Sequence, residues 1–210
     1  MDSENLRILT EVKKDAITIS KIETAFPSSQ EEAANFTMGL PLPYKVRQFN
    51  TQTNNMSDEL IYDLYDSKGN LLQYTMKDSQ STAIIWGYNQ TLPIAKIVGA
   101  AYPSPAKKGN EIPQSLIYEI VAASDLEAAQ PPGSDEATFL AVLDNFRSNP
   151  LLNDFQVTTY TYDPSIGVRS ITPPSGIREY YIYDTANRLE RVEDVNHNIL
   201  KKYEYLYKTP

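Results

Sequence analysis

The 210-residue sequence contains no cysteine, one histidine and one tryptophan. Without cysteine there is no disulfide, no thiolate metal ligand and no thiol nucleophile. A single histidine, His197, leaves no histidine pair for a metal site, and its place in Asn196-His197-Asn198 reads as an exposed turn rather than a general base. No run of about 18 apolar residues occurs, so no membrane-spanning helix is expected. Met1-Asp2-Ser3-Glu4-Asn5 has neither the basic nor the apolar region of a secretory signal. Lys and Arg number 19 against 27 Asp and Glu, and the formal net charge is −8. The cations are scattered rather than gathered in a stripe, so nucleic acid is not an expected partner. A Gly-x-Ser-x-Gly elbow and a phosphate-binding glycine loop are also missing, and no residues stand out to carry catalysis.

What is present is tyrosine, 15 residues against 6 Phe. Such usage favours sheet faces where a ring packs while its hydroxyl stays wet. The tyrosines are periodic. Tyr62-Asp63-Leu64-Tyr65-Asp66-Ser67-Lys68-Gly69-Asn70-Leu71 returns loosely as Tyr181-Ile182-Tyr183-Asp184-Thr185-Ala186-Asn187-Arg188-Leu189. Tyr160-Thr161-Tyr162-Asp163 precedes it and the degenerate Tyr203-Glu204-Tyr205-Leu206 follows. The C-terminal copies repeat at about 21 to 22 residues.

After each Asp come a turn and two apolar residues three apart, Leu71 and Tyr74, Val168 and Ile171, Leu189 and Val192. Each unit therefore reads as two strands and two turns. A carboxylate at the first turn position accepts from backbone N–H groups just ahead of it, and Gly69 or Asn187 supplies the left-handed residue. Asp66 and Asp184 are accordingly turn caps, not acids or bases. The acidic group Asp58, Glu59, Asp63 and Asp66 lacks the spacing of a calcium loop and reads as a solvated turn face. Period two puts Tyr160 with Tyr162, Tyr181 with Tyr183, and Tyr203 with Tyr205 and Tyr207, each set on one strand face, and predicts ring ladders between repeats.

Tyr65-Asp66-x-x-Gly69-Asn70-Leu71, Tyr162-Asp163 and Tyr183-Asp184-x-x-Asn187-Arg188-Leu189 resemble the Tyr-Asp-x-x-Gly-Arg-Leu pattern of the rearrangement-hotspot (Rhs) or YD-repeat family. The resemblance covers about residues 58–98 and 156–207. It implies β-hairpins wound into a strip or hollow shell, as in bacterial surface proteins, toxin carriers and animal cell-adhesion proteins. Three departures stand out: Asn187 replaces the turn glycine, the last copy lacks the Asp, and the Asp163 turn reads as a residue longer. Asp163-Pro164-Ser165-Ile166-Gly167 is similar to the Asp-Pro-x-Gly element at which some shells of the family cleave themselves. Its glycine stands one position late and the segment opens a repeat, so that activity is not carried over.

Outside the repeats, Ala16–Ile22, Tyr44–Phe49, Trp86–Asn89 and Pro93–Val98 read as further strands. Residues 112–150 change to a helical period. Leu116, Ile117, Ile120 and Val121 share a face after Pro113, and Phe139, Val142, Leu143 and Phe146 form a second stripe behind Ser134 as N-cap with Asp135 and Glu136 in the first turn.

The expected fold is mainly β, an antiparallel YD-repeat hairpin sheet with a helical hairpin insertion. It divides into residues 1–111 with the first repeat block, 112–150 with the helices, and 151–210 with the second block. The expected function is that of a non-catalytic structural segment of a larger bacterial surface or secreted protein, needing no cofactor or metal. The alternative is a carbohydrate- or cell-surface-binding module whose ligand-facing aromatics are Trp86, Tyr88, Tyr181, Tyr183, Tyr203 and Tyr205. Expected partners are the rest of the parent repeat protein, a carbohydrate or encapsulated toxin domain, and a second copy through sheet edges, chiefly a terminal strand Ile199–Tyr207. The parent's expected location is extracellular or at the cell surface.

Overall fold

Closely spaced turns between short alternating strands favour pairing with the next strand in sequence, and that is the topology found. The computed structural model describes residues 7–104, 110–131, 134 and 136–206. Among the described residues twelve strands form one antiparallel sheet whose order is the order of the sequence. They are β1 (Arg7–Lys14), β2 (Ile17–Ala25), β3 (Lys45–Asn50), β4 (Asn55–Tyr65), β5 (Leu71–Met76), β6 (Ser81–Gly87), β7 (Leu92–Val98), β8 (Gln156–Asp163), β9 (Gly167–Thr172), β10 (Glu179–Tyr183), β11 (Leu189–Glu193) and β12 (Ile199–Lys202). Helix α1 is Gln30–Phe36, and α2 (Gln114–Ala128) and α3 (Ala137–Arg147) lie between β7 and β8. The expected fold class is observed. Strand β1 and helix α1 are additions to it.

Packing groups the residues into two units, Met1–Ile84 with Val98–Glu111, and Ile85–Ile97 with Ile112–Pro210. The helices thus share a unit with the C-terminal repeats, whereas the sequence pattern divides the chain at 111 and 150.

The first unit has a thin core of small side chains, Ala25, Ala33, Ala83 and Ala100, with the ring of Tyr65. Two of its buried polar side chains, Gln73 and Glu23, are matched. The Gln73 side-chain oxygen accepts from the Tyr102 N–H at 2.8 Å. The Glu23 carboxylate lies between Arg7 at 3.3 Å and Arg47 at 3.5 Å. Helix α1 is capped at both levels: the Ser29 hydroxyl accepts from the Glu32 N–H at 3.1 Å, and the Glu32 carboxylate takes the Ser28 N–H at 2.7 Å and its hydroxyl at 2.8 Å. At its far end Phe36 stacks on Tyr44, ring centroids 4.9 Å apart.

The second unit holds the larger core. Helix α2 buries Ile117, Ile120 and Ser124, and α3 buries Phe139, Leu143 and Phe146, beside Ile85, Ile94, Ile97, Leu152 and Val157. Leu116, Val121 and Val142 are only half-buried, so the α2 stripe turns toward Ser124. A small residue is needed there because β6 comes very close: a Cβ on Gly87 would sit 2.1 Å from the Ser124 hydroxyl. The Ser124 hydroxyl also accepts from the Tyr88 N–H at 3.2 Å, and Asp125 from the Asn89 N–H at 2.6 Å. These contacts hold Tyr88, Asn89 and Gln90 in three consecutive left-handed conformations, with φ of 50°, 58° and 62°.

The start of α3 departs from expectation. Glu136 occupies the N-cap position without a side-chain cap bond, and the Ser134 hydroxyl instead donates to the Pro131 carbonyl at 2.7 Å. Asp135 lies outside the described residues. The far end is tied down firmly, as Arg147 donates to the carbonyls of Val157, Thr172 and Pro173, linking α3 to β8 and the end of β9.

The Gly87–Ser124 approach gives a direct test. Gly87→Ala should lower stability by about 1 to 3 kcal/mol in urea denaturation. The double variant with Ser124→Ala should lose less than the sum of the two single losses, because the hydroxyl is the atom nearest the added methyl.

Candidate functional site

The repeat's Asp and Tyr are the residues with the strongest sequence signal, and each has one recurring job. In three turns an Asp opens a loop whose fourth residue is left-handed: Gly69 after Asp66 (φ 89°), Asn187 after Asp184 (φ 58°) and His197 after Asp194 (φ 61°). The backbone bonds coincide. The fourth N–H donates to the Asp carbonyl at 3.1, 2.9 and 3.0 Å, and the Asp N–H donates to the fifth carbonyl at 2.9, 2.8 and 3.0 Å. This is a hairpin turn followed by a bulge. The Asp side chain closes it, with one oxygen accepting from the third and fifth N–H groups at 2.8 and 2.8 Å for Asp66, 2.8 and 3.0 Å for Asp184, and 2.8 and 2.9 Å for Asp194. The second oxygen takes the fifth side chain: Asn70 at 2.9 Å, Arg188 at 2.8 Å, Asn198 at 2.9 Å. Asp194 was legible only as a member of a turn, yet it repeats Asp66 atom for atom.

The Asp163 turn is not longer than the others. Tyr162 pairs with Val168 as Tyr65 pairs with Leu71 and Tyr183 with Leu189, each partner lying five residues past the Asp. Ile166 stands where the left-handed residue belongs, and a β-branched side chain resists that conformation. The irregularity moves to Gly167, which puts the glycine one position late.

The tyrosine before each Asp reaches back to a backbone carbonyl. Hydroxyls of Tyr65, Tyr162, Tyr183 and, in the copy lacking Asp, Tyr205 donate to the carbonyls of Pro43, Pro93, Val168 and Leu189 at 2.6, 2.8, 3.0 and 2.8 Å. Val168 and Leu189 each lie five residues past the preceding Asp, in the strand that follows its turn, so each later copy is fastened to the one before it. Gly167 leaves the necessary space, since a Cβ there would lie 2.7 Å from the Tyr183 hydroxyl. Burial raises the hydroxyls of Tyr65, Tyr162 and Tyr183 above their ordinary pKa, so they remain donors across the physiological range.

The predicted ring ladders are largely replaced by mixed pairs. Tyr160 faces Ile171, Tyr162 faces Val168, Tyr181 faces Val192 and Tyr183 faces Leu189, while Tyr62 does face Tyr74. Of the six aromatics expected to face a ligand, Tyr88 is buried at 2% exposure. Its left-handed turn swings the ring inward between Phe139 and Tyr162, and its hydroxyl accepts from the Tyr162 N–H at 2.9 Å. Trp86, Tyr181, Tyr183 and Tyr203 are half-buried, and Tyr205 is 43% exposed. Lys201 lies 4.9 Å over the Tyr203 ring and Arg188 4.8 Å over that of Tyr205. These rings do not form one open row. The terminal strand is also shorter than expected: β12 ends at Lys202, the Tyr203 N–H makes one more bond to Glu190, and Tyr207 lies outside the described residues.

The acidic group is dispersed among local partners. Asp58 pairs with Lys45 at 2.8 Å and Arg47 at 3.3 Å, Glu59 with Lys77 at 2.6 Å, and Asp63 accepts the Thr75 hydroxyl at 2.6 Å. Among the described residues no three His, Asp or Glu side chains are grouped to hold a metal. His197 lies 3.1 Å from the Glu193 carboxylate, with its ring over Tyr180. Beside the Asp163 turn a depression of about 240 Å³ is lined by Glu127, Tyr162, Asp163, Ser165 and Arg169. Its guanidinium is already engaged by Glu127 at 3.3 Å, Glu136 at 3.5 Å and the Ser134 carbonyl at 2.9 Å.

Two outcomes follow for the repeat residues. Tyr183→Phe and Asp66→Ala should each lower stability by about 1 kcal/mol, read as a shift of the urea midpoint. The carboxyls of Asp184, Asp194 and Glu193 are held below their ordinary values, chiefly by hydrogen bonds from Arg188, Asn198 and Arg191. A carboxyl lowered in the folded chain adds stability above its unfolded value and loses it as pH falls through the folded one. The thermal midpoint should therefore be level from about pH 7 to 5 and fall below about pH 4.

No protein-family model matches the chain and no curated protein matches it. Solved structures do. The chain is similar to part of TcdB2-TccC3-TEV at 10% identity and a TM-score of 0.43, covering 95% of this chain and 8% of that one. TcdB2-TccC3 matches at 10% identity and a TM-score of 0.40, covering 89% and 8%. The Photorhabdus luminescens Tc holotoxin pore matches at 10% identity and a TM-score of 0.41, covering 95% and 8%. The chain spans about 8% of the length of the chains it matches.

Proposed function

We propose that this chain is a non-catalytic structural segment of YD-repeat sheet, belonging to a larger bacterial surface or secreted protein, whose work is to build extended sheet that encloses or displays another component. One observation carries the reading. The repeat's signature side chains are consumed internally, the Asp carboxylates by their own turns and the Tyr hydroxyls by backbone carbonyls of earlier segments. Residues kept for binding or catalysis would hold donors and acceptors open toward a ligand; these are closed. A sheet built this way grows by one hairpin at a time, each new Tyr fastening to the preceding strand, which suits a wall or strip of any length. The proposed partners are accordingly the rest of the parent protein and whatever the sheet surrounds.

A second reading rests on the partly exposed rings of Trp86, Tyr181, Tyr203 and Tyr205 as faces on which a sugar would stack. The two readings separate experimentally. In the structural reading, Tyr65→Phe, Tyr162→Phe and Tyr183→Phe combined lose about 3 kcal/mol, one hydrogen bond apiece, and the chain is not retained on immobilised polysaccharides. Unchanged stability in that variant, together with saturable polysaccharide retention lost in Tyr203→Ala or Tyr205→Ala, would replace it with the binding module.

A further inference from the structure

The two long helices lie outside the repeats, and the surface between them is open. A groove of about 560 Å³ is walled by Ala123 and Leu126 of α2, by Gln130 just past its end, and by Thr138, Phe139 and Val142 of α3. Phe139 forms the floor at 1% exposure, Ala123 and Val142 are half-buried, and Leu126 stands on the rim at 68%. Positions 123, 126 and 130, and 138 and 142, are spaced three and four apart, as ridges along a helix are. A slot of this kind accepts the apolar stripe of a third helix, whose side chains enter at i, i+3 or i+4, and i+7. An extended strand would find no backbone partner here, because α2 and α3 spend their N–H and C=O groups within themselves.

Charge selects among the helices that would fit. Residues 112–150 hold Glu119, Asp125, Glu127, Asp135, Glu136 and Asp144 against one cation, Arg147. That guanidinium is spent on three backbone carbonyls. Arg169 of β9 answers Glu127 and Glu136 together, and Arg178, next to β10, answers Asp144. Among the described residues Glu119 and Asp125 have no cation at ion-pair distance. Glu119 lies one turn before Ala123 on the same stripe of α2, so it extends the groove's wall with an open carboxylate. The groove therefore sits in a negative surface, which draws a cationic partner and repels acidic segments and anionic lipid.

We propose that the groove between α2 and α3 is a docking site for a basic amphipathic helix, whose apolar stripe enters over Phe139 while its flanking Lys and Arg side chains meet Glu119 and the negative surface around it. This goes beyond the structural role of the repeats and stands or falls apart from it, since the Tyr→Phe variants test that role through stability alone. The probe is a fluorescent Leu/Lys peptide of about 14 residues with one apolar stripe, close to the length of α2. Its anisotropy against the full chain should give a dissociation constant of about 10 µM at low salt, weakening several-fold as salt rises to about 0.5 M. Leu126→Lys removes an exposed anchor and Thr138→Trp fills the slot, and each should weaken binding about tenfold with the urea midpoint unchanged. Glu119→Lys should cost about threefold. A Leu/Glu peptide of the same pattern that binds as tightly overturns the proposal, as does a Leu/Lys peptide indifferent to both groove variants or unbound at about 200 µM. Cosedimentation of the chain with phosphatidylcholine vesicles that Leu126→Lys abolishes would assign the groove to lipid and overturn it equally.

Discussion

In a sheet whose side chains alternate faces, a one-residue slip in any hairpin turns every following side chain to the wrong side. The Asp-led turn prevents that slip. Its carboxylate accepts from two N–H groups that no other strand can satisfy, and this fixes both the loop length and the bulge after it. Leu71, Val168, Leu189 and Ile199 consequently fall at the same place relative to the residue preceding their turn. The loop Met76–Gln80 has the same backbone bonds, with Ser79 left-handed and no Asp in the first position. The carboxylate is thus a clamp on a turn the backbone already favours, and it matters most where the sequence offers Asn or His in place of glycine.

Above that local rule stands a longer-range one. A tyrosine hydroxyl reaching the carbonyl of Val168 or Leu189 measures the distance from one hairpin to the next and checks that their registers agree. Arg147 does the same between a helix and two strands, satisfying three carbonyls with one guanidinium. In both cases a donor at the end of a long side chain serves backbone acceptors that the sheet leaves over. The apolar core of the second unit then needs only to be roughly the right size, because its frame is set by directed bonds.

The fold class was legible because it rests on local signals: turn residues at fixed offsets, alternation in the strands, and the stripes of Ile117, Ile120, Phe139, Leu143 and Phe146. Helix α1 was not recognised, although Ser29-x-x-Glu32 is a capping-box signature, since a seven-residue helix burying only Ala33 carries almost no periodicity. Strand β1 was missed because both of its faces are exposed and Arg7-Ile8-Leu9-Thr10 does not alternate. Tyr88 was misplaced by continuing a strand's period into a left-handed turn. The tyrosine anchors join residues 15 to 69 positions apart, and no spacing rule at the level of one strand contains them. The same residues, Tyr and Asp, drew attention at both levels, but the sequence pattern named the residues without naming the bond.

The turn at Tyr88, Asn89 and Gln90 shows how far local and tertiary preferences diverge in one place. Each side-chain-bearing residue in a left-handed conformation costs on the order of 1–2 kcal/mol, and here three follow one another. The hairpin joining β6 and β7 closes on itself through Thr91, whose N–H and hydroxyl donate to the carbonyls of Gly87 and Tyr88, and it leans on α2, where Ser124 and Asp125 receive its N–H groups. Cooperativity in the second unit is thus written into a turn that its own sequence opposes, because the strain of the hairpin is offset in part by the helix packed on it.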